Sequence, residues 1–209
     1  MKEYDVYLMD FDGTLFDTKK SLFPVFKYAF AKAGVEITYD DVEAFMHHTL
    51  SQSARIMGLE GESIEVFKRG INEAIDMEES LSQITQFSDT VYLISELKKR
   101  KKRFGIVSGN ISSHIALVLS RFGFDPNDFF PIVGSDKYKH GKPRPDPILV
   151  AMEMLGISDK SSITYIGDSV QDAECAEAAG VDGYLLNRDG ALYEIAKTKI
   201  RSFYDLFEY

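Results

Sequence analysis

Residues 6–15 of the chain read Val6-Tyr7-Leu8-Met9-Asp10-Phe11-Asp12-Gly13-Thr14-Leu15. The apolar run from Val6 to Met9 predicts a short buried strand, and two carboxylates follow it directly. Asp10 and Asp12 project from one face while the backbone stays extended, because side chains alternate along a strand. Gly13 then permits a sharp turn that a bulkier residue would resist. The stretch therefore predicts a strand that delivers two carboxylates to the edge of a sheet.

Other short apolar runs predict further strands, and they alternate with segments of helical period. The predicted strands are Phe104 to Val107, Pro131 to Val133, Ile163 to Ile166 and Tyr184 to Leu186. The predicted helices are Ser112 to Phe122, Pro147 to Leu155, Asp172 to Ala179 and Ala191 to Ala196. This alternation is typical of the α/β class, in which helices cover both faces of a parallel sheet.

The interval between the strand Val6 to Met9 and the strand Phe104 to Val107 is far longer than one crossover helix requires. Apolar residues recur there at helical spacing in three sets. The sets are Leu22, Phe23, Phe26, Phe30 and Ala33; Val42, Phe45 and Met46; and Ile64, Phe67, Ile71, Ala74 and Ile75. We therefore predict a small α-helical domain inserted at residues 18–86. Residues 1–17 and 87–209 would form the α/β core, which begins again with a helix over Asp89 to Lys99.

Polar side chains also follow later strands, at the carboxyl ends where open α/β sheets bind ligands. Ser108-Gly109-Asn110 offers a hydroxyl and free backbone N–H groups before a helix, an arrangement that suits an anion. Prolines stiffen the loop that carries Lys142, so its ammonium is expected to be held rigidly. Asp168 and Asp172 follow the next strand, although Asp172 also fits a capping box that starts a helix.

Carboxylates that converge on one rim repel one another unless a cation joins them. Oxygen ligands favour magnesium. Ser108 and Lys142 are suited to holding phosphoryl oxygens. Together these residues predict a phosphoryl-transfer site with a metal, a nucleophile, an acid or base and a positive clamp.

The four motifs occur in the order found in the haloacid dehalogenase superfamily, and the resemblance spans nearly the whole chain. The chain resembles the phosphoglycolate phosphatase-like and β-phosphoglucomutase-like branch, which has a Rossmannoid core and a helical cap domain. The resemblance implies a phosphatase in which Asp10 attacks phosphorus to form an aspartyl-phosphate. Asp12 would then be the general acid and base.

The same resemblance implies roles for the other motif residues. Lys142 would bind the phosphoryl group and shield Asp10, and the segment Ser108-Gly109-Asn110 would contribute to substrate binding. Magnesium would be bound by Asp10, the backbone carbonyl of Asp12 and Asp168. Asp172 would either ligate the metal or orient its surroundings.

Single positions distinguish the activities of this superfamily. A carboxylate at Asp12 disfavours dehalogenases and phosphonatases, which lack it. The β-phosphoglucomutase-like members carry a histidine at the position of Leu22, and leucine cannot transfer a proton. A phosphomutase is therefore the second hypothesis, and a non-catalytic phosphoryl-binding regulator is the third.

The predicted cap contains His47, His48 and Arg55. Adjacent histidines do not share a helix face, so a metal pair is disfavoured. Arg55 is a candidate substrate contact, with an ordinary solvated surface residue as the alternative for all three. The cap lacks the Gly-rich loop of many relatives, which disfavours phosphoglycolate itself as the substrate. Where relatives re-enter the core with Pro-Gly, residues 86–89 read Gln-Phe-Ser-Asp, a change expected to be structurally neutral.

Composition and net charge limit the partners and the compartment that we expect for the protein. The net charge of -9 argues against a nucleic-acid-binding surface. We interpret the basic run at residues 98–103 as the end of a predicted helix, where cations complement the helix dipole. Cys175 is the only cysteine, so no intrachain disulfide is possible. Neither a signal peptide nor a membrane-spanning run is predicted. We expect a cytoplasmic protein, a monomer or homodimer, that acts on a small phosphorylated metabolite.

Overall fold

A computed structural model describes residues 2–45, 48–188, 190 and 198–207. Its strands are β1 (Val6–Met9), β2 (Phe16–Asp17), β3 (Thr85–Gln86), β4 (Arg103–Val107), β5 (Ile132–Val133), β6 (Ile163–Gly167), β7 (Asp182–Leu186) and β8 (Lys199–Ile200). Its helices are α1 (Leu22–Lys32), α2 (Tyr39–Phe45), α3 (Leu50–Ile56), α4 (Glu62–Ala74), α5 (Glu78–Leu81), α6 (Ser88–Lys99), α7 (Ser112–Arg121), α8 (Asp146–Leu155) and α9 (Val170–Ala179). The helix predicted at residues 191–196 lies outside the described residues, as do Met46 and His47.

The main sheet is parallel, with the strand order β5-β4-β1-β6-β7-β8. Strand β1 lies between β4 and β6, and Val6 pairs with Arg103 on one side and with Ile163 on the other. Because the strands are parallel, their carboxyl ends meet at one edge of the sheet. The predicted α/β fold with a parallel sheet is confirmed.

Alternate residues of β1 are buried against different layers. Leu8 belongs to an apolar cluster that includes Ala151 of α8 and Cys175 of α9. Tyr7 and Met9 lie on the opposite face of the sheet and are also buried. Burial on both sides explains why the strand reads as an unbroken apolar run. Small residues in α9, among them Cys175 and Ala176, allow the helix to pack closely on the sheet.

Residues 18–85 form a compact unit separate from residues 1–17 and 86–209. The sequence places the boundaries at 18 and 86. Within this unit α1 and α4 pack against each other at Gly70, where an added Cβ would lie 2.7 Å from Ala29 Cα. The rings of Phe26, Phe30 and Phe67 lie in the same apolar cluster. A helical domain with its own core therefore interrupts the α/β unit.

A buried ion pair ties the start of α6 to the segment after β7. Asp89 Oδ2 accepts hydrogen bonds from Arg188 Nη1 and from the backbone N–H of Phe203, each at 2.8 Å. Arg188 Nη2 donates to the carbonyl of Thr14 at 3.0 Å. The side chain of Thr90 donates to the carbonyl of Leu15 at 2.8 Å. The turn after β1 is thus fixed by residues that are distant in the sequence.

The basic run at residues 98–103 is largely paired with acids of the α/β unit. Lys98 pairs with Asp128, and Arg100 lies 2.9 Å from Glu3 and 3.1 Å from Glu96. Helix α6 ends at Lys99, so the cations lie at the helix terminus as expected. Among the described residues, no helix has the length and apolarity needed to cross a membrane.

Candidate active site

Three neighbouring strands end in the predicted site residues. Asp10 follows β1, Ser108 follows β4 and Asp168 follows β6 directly. Since β1 lies between the other two, these side chains emerge side by side at the carboxyl edge. The loop between β5 and α8 contributes Lys142, and the first turn of α9 contributes Asp172.

The ammonium of Lys142 lies between two carboxylates. Its Nζ donates to Asp10 Oδ1 at 2.7 Å and to Asp172 Oδ1 at 2.6 Å. The side chain of Lys142 is 13% exposed, and those of Asp10 and Asp172 are 7% and 2% exposed. Charge-assisted hydrogen bonds shielded from water are strong, so this arrangement fixes the Asp10 carboxylate in one orientation.

The second carboxylate of the motif is held by the segment that follows β4. Asn110 Nδ2 donates to Asp12 Oδ2 at 2.7 Å, and Ser108 Oγ lies 3.4 Å from the same oxygen. The Ser108 hydroxyl also accepts from the backbone N–H of Asn110 at 3.1 Å. Gly109, between them, is exposed. The side chains of Ser108 and Asn110 thus contact Asp12 directly, whereas their predicted contact with a phosphoryl group stays a prediction.

Asp168 packs against the turn after β1. Thr14 Oγ1 donates to Asp168 Oδ1 at 3.1 Å. Gly13 has a φ of 72°, and a Cβ added there would lie 2.1 Å from Asp168 Oδ2. Only glycine fits at this position, both for the backbone conformation and for the space that the carboxylate occupies.

Carboxylate oxygens of Asp10, Asp168 and Asp172 lie within 4.8 Å of one another, a grouping that could hold a divalent metal ion. Asp172 is the most fully engaged of the three. Its Oδ1 accepts from Lys142 and Tyr165, and its Oδ2 accepts from the backbone N–H and hydroxyl of Ser169. The predicted capping box of α9 is present. The geometry therefore favours an orienting role for Asp172, and it leaves Asp10 and Asp168 as the better placed ligands.

The electrostatics of these three carboxylates also favour a bound cation. Burial raises the pKa of Asp10 well above its usual range, and the charges of Asp172 and Asp168 add to this against the opposing effect of Lys142. Burial, and then the charge of Asp172, raise the pKa of Asp168 to about 6. For Asp10 and Asp168, Lys142 alone does not offset burial and the repulsion from neighbouring carboxylates. A divalent cation fits the donor set because it would supply the missing positive charge.

Lys142 and Asp172 each stay charged in spite of burial. Burial by itself lowers the pKa of Lys142, but the charges of Asp10 and Asp172 outweigh it and raise that pKa well above its usual range. Burial by itself raises the pKa of Asp172, but Lys142 and the hydrogen-bond donors lower it on balance. Burial, and then the charge of Asp172, raise the pKa of Tyr165 well above its usual range, which keeps its hydroxyl protonated.

The candidate cap residues belong to the unit of residues 18–85. Arg55 is exposed on α3, and His48 is exposed after α2 with its Nδ1 2.9 Å from the carbonyl of Ala44. His47 is not among the described residues. A contact between Arg55 and a substrate stays a prediction.

Two features of the site were not predicted from the sequence. Tyr165 was treated as part of an apolar strand, although a buried tyrosine needs a partner for its hydroxyl and that requirement could have drawn attention to it. Arg188 follows β7 at the same sheet edge, so the strand-end rule that selected Asp168 applies to it as well. Asp89, its partner, lies in residues 86–89, where the departure from the Pro-Gly of relatives was expected to be structurally neutral.

Comparisons with known proteins agree with this geometry. The family of haloacid dehalogenase-like hydrolases matches residues 7–203 of the chain. A phosphoglycolate phosphatase from Aquifex aeolicus (strain VF5) is 27% identical over 187 residues, which cover 84% of this chain and 81% of that protein. The pyrophosphatase PpaX from Bacillus velezensis is 26% identical over 182 residues, which cover 86% and 81%.

Solved structures give the same result. That of a haloacid dehalogenase-like protein from Bacteroides fragilis superposes with a TM-score of 0.84 at 28% identity, and the match covers 98% of this chain and 100% of that one. The matched region contains all four strand-end motifs described above. The chain therefore belongs to the family of haloacid dehalogenase-like hydrolases.

Proposed function

We propose that this protein is a magnesium-dependent phosphatase that hydrolyses a small phosphate monoester through an aspartyl-phosphate on Asp10. The observation that carries the proposal is the buried Asp10 carboxylate, which Lys142 holds at 2.7 Å at the carboxyl end of the central strand. A carboxylate held in this way is a fixed nucleophile, and the ammonium beside it attracts an anionic phosphoryl group.

Asp12 is suited to moving the protons. In the first step an oxygen of Asp10 forms a bond to phosphorus while the bond to the leaving oxygen breaks, and Asp12 donates a proton to that oxygen. In the second step Asp12 accepts a proton from water as the water attacks phosphorus and releases Asp10. The 2.7 Å hydrogen bond from Asn110 supports this role because it fixes the Asp12 carboxylate beside the nucleophile.

Asp10, the carbonyl of Asp12 and Asp168 would hold the magnesium ion. Bound there, the ion supplies positive charge against the phosphoryl oxygens. Lys142 adds a second positive charge. Ser108 Oγ lies 3.4 Å from Asp12 Oδ2, and its hydroxyl would donate to a phosphoryl oxygen bound beside Asp12. Preorganised charge of this kind provides most of the acceleration of phosphate-ester hydrolysis.

The names of the relatives support a small phosphorylated substrate, since they include a phosphoglycolate phosphatase and a pyrophosphatase. We therefore propose a panel of phosphoglycolate, sugar phosphates, nucleoside monophosphates and pyrophosphate, each with magnesium. The phosphomutase alternative predicts that glucose 1-phosphate and glucose 6-phosphate interconvert faster than free phosphate is released. Release of free phosphate alone would eliminate it.

The primary test is hydrolysis of p-nitrophenyl phosphate with magnesium, before and after chelation with EDTA. We expect chelation to abolish turnover and added magnesium to restore it. In a parallel experiment, a radiolabelled substrate quenched with acid should leave label on the protein that hydroxylamine removes, as it does from an acyl phosphate. Undiminished turnover after exhaustive chelation would refute the metal assignment, and trapped label that resists hydroxylamine would refute the acyl phosphate.

A further inference from the structure

Three acceptors surround the ammonium of Lys142. Besides Asp10 Oδ1 and Asp172 Oδ1, the hydroxyl of Tyr165 lies 3.3 Å from Nζ. An ammonium group has three N–H donors. Each of them therefore has an acceptor, and a phosphoryl oxygen can bind Lys142 only if one of these contacts is given up. The contact with Tyr165 is the longest of the three and the only one with a neutral acceptor.

The hydroxyl of Tyr165 is itself fixed from other directions. It lies 2.9 Å from Asp172 Oδ1 and 3.1 Å from the carbonyl of Val107, so its single proton has two acceptors to choose between. Tyr165 is only 1% exposed, and its ring packs in the apolar cluster beneath the sheet edge. A rigid ring thus delivers one polar atom to the junction between Lys142 and Asp172.

We propose that Tyr165 is a positioning residue of this site, whose hydroxyl orients Asp172 and holds the third N–H of Lys142 until a phosphoryl oxygen takes its place. The inference rests on the proposed phosphatase function. Tyr165 itself does not touch the reacting atoms and acts through Lys142 and Asp172. When the third N–H turns to the substrate, the two carboxylates keep the ammonium in position, and the tyrosine hydroxyl remains a donor to Asp172.

Tyr165→Phe is the direct test because it removes the hydroxyl and keeps the ring that fills the core. Tyr7→Phe is the matched control. Tyr7 is also buried, lies on the neighbouring strand β1, and has its hydroxyl 3.3 Å from the backbone nitrogen of Tyr4, away from the site. Thermal unfolding of both variants shows whether each is folded, and kcat and KM are measured with p-nitrophenyl phosphate and magnesium.

We expect kcat of Tyr165→Phe to fall about tenfold while KM stays within about twofold of wild type, since a hydrogen bond to a charged group is lost but the Lys142 charge remains. Tyr7→Phe should leave both constants unchanged. A purely structural role for Tyr165 predicts that the two variants behave alike. Equal kcat values for Tyr165→Phe and wild type would therefore overturn the inference.

A second measurement separates positioning from general loosening of the core. In a double-mutant cycle, the loss of kcat in the double variant Tyr165→Phe, Asp172→Asn should be smaller than the product of the two single losses, because both substitutions disrupt the same contact. Multiplicative effects would overturn the inference even if kcat falls in the single variant. If neither wild type nor Tyr7→Phe hydrolyses the substrate, the proposed function fails and this inference fails with it. If both are active, the kcat of Tyr165→Phe and the double-mutant cycle together decide the inference.

Discussion

Lys142 Nζ lies 2.7 Å from Asp10 Oδ1, although the two residues are 132 positions apart in the chain. The pair joins the first strand of the sheet to a loop that follows β5. Since Lys142 also contacts Asp172, the position of the Asp10 carboxylate depends on three separate segments of the α/β unit.

Asp10→Asn should lower kcat by at least roughly 10³-fold, because an amide cannot form the acyl phosphate. The protein should remain folded, since asparagine has the same shape and Lys142 keeps its contact with Asp172. Asp5→Asn is the matched control, because Asp5 is an exposed acid just before the same strand. Hydrolysis of p-nitrophenyl phosphate and circular dichroism provide the two measurements. A fully active Asp10→Asn protein would end the nucleophile hypothesis.

Asp12→Asn should slow hydrolysis of an alkyl phosphate by about 10²- to 10⁴-fold, the usual contribution of a positioned acid or base. The loss should be smaller for p-nitrophenyl phosphate, because its leaving group departs without a proton. Comparing kcat for the two substrates isolates the acid role. Equal losses for both leaving groups would contradict the acid role and leave Asp12 only its role in the second step, which is common to both substrates.

Gly13→Ala should disrupt the proposed metal site. The new Cβ would lie 2.1 Å from Asp168 Oδ2, so the carboxylate must move. Gly123→Ala is the control, since Gly123 also has a positive φ, of 81°, but no atom of the described residues lies within 4 Å of an added Cβ. Both variants should lose about 1 kcal/mol of stability from the backbone conformation. Only Gly13→Ala should weaken activation by magnesium, measured as the concentration that gives half-maximal activity.

Activation by magnesium should depend on pH through Asp168. Its pKa is raised to about 6, so the carboxyl group is increasingly protonated as the pH falls below that value. A proton then competes with the metal, and the half-saturating magnesium concentration should rise up to about tenfold per pH unit below 6. Titrations between pH 5 and pH 8 measure this dependence. A constant value across that range would contradict metal binding through a carboxylate with this raised pKa.

Removing one member of the Asp89–Arg188 pair should destabilise the α/β unit. The side chain of Asp89 is 3% exposed and that of Arg188 is 21% exposed. Asp89→Asn leaves the guanidinium without its counterion, and because Arg188 is partly solvated we expect a loss of roughly 3 kcal/mol, at the low end for buried pairs. The double variant Asp89→Asn, Arg188→Met should recover part of that loss in urea unfolding. A double variant less stable than Asp89→Asn would contradict this account.

Much of the fold follows from the sequence because the strands of a parallel sheet are buried on both faces. Val6 to Met9 therefore reads as an unbroken apolar run, and its predicted limits match β1. Strand β8 was missed because its two residues, Lys199 and Ile200, do not form an apolar run. Helix α3 was missed because its start is set by Thr49 and Gln52, which form a capping box without an apolar pattern.

The site was predictable only as far as the ends of the strands. Asp10 and Asp168 follow apolar runs, so the topology of an α/β sheet brings them to one edge. The contacts of Tyr165 could not be predicted in this way, because its partners come from a loop and from a helix that are remote in the sequence. The orientation of Asp172 likewise depends on Lys142, whose reach across the site is set by tertiary packing.

The central position of β1 has a consequence for synthesis of the protein on the ribosome. Its two partners, β4 and β6, emerge only after residues 103 and 163 have been translated. Residues 18–85 have their own apolar cluster and can fold as a unit during that delay. Strand β1, which ends next to Asp10, has neither partner during that delay. A nascent chain that stalls before β6 would thus contain Asp10 and a folded helical domain but no enzyme.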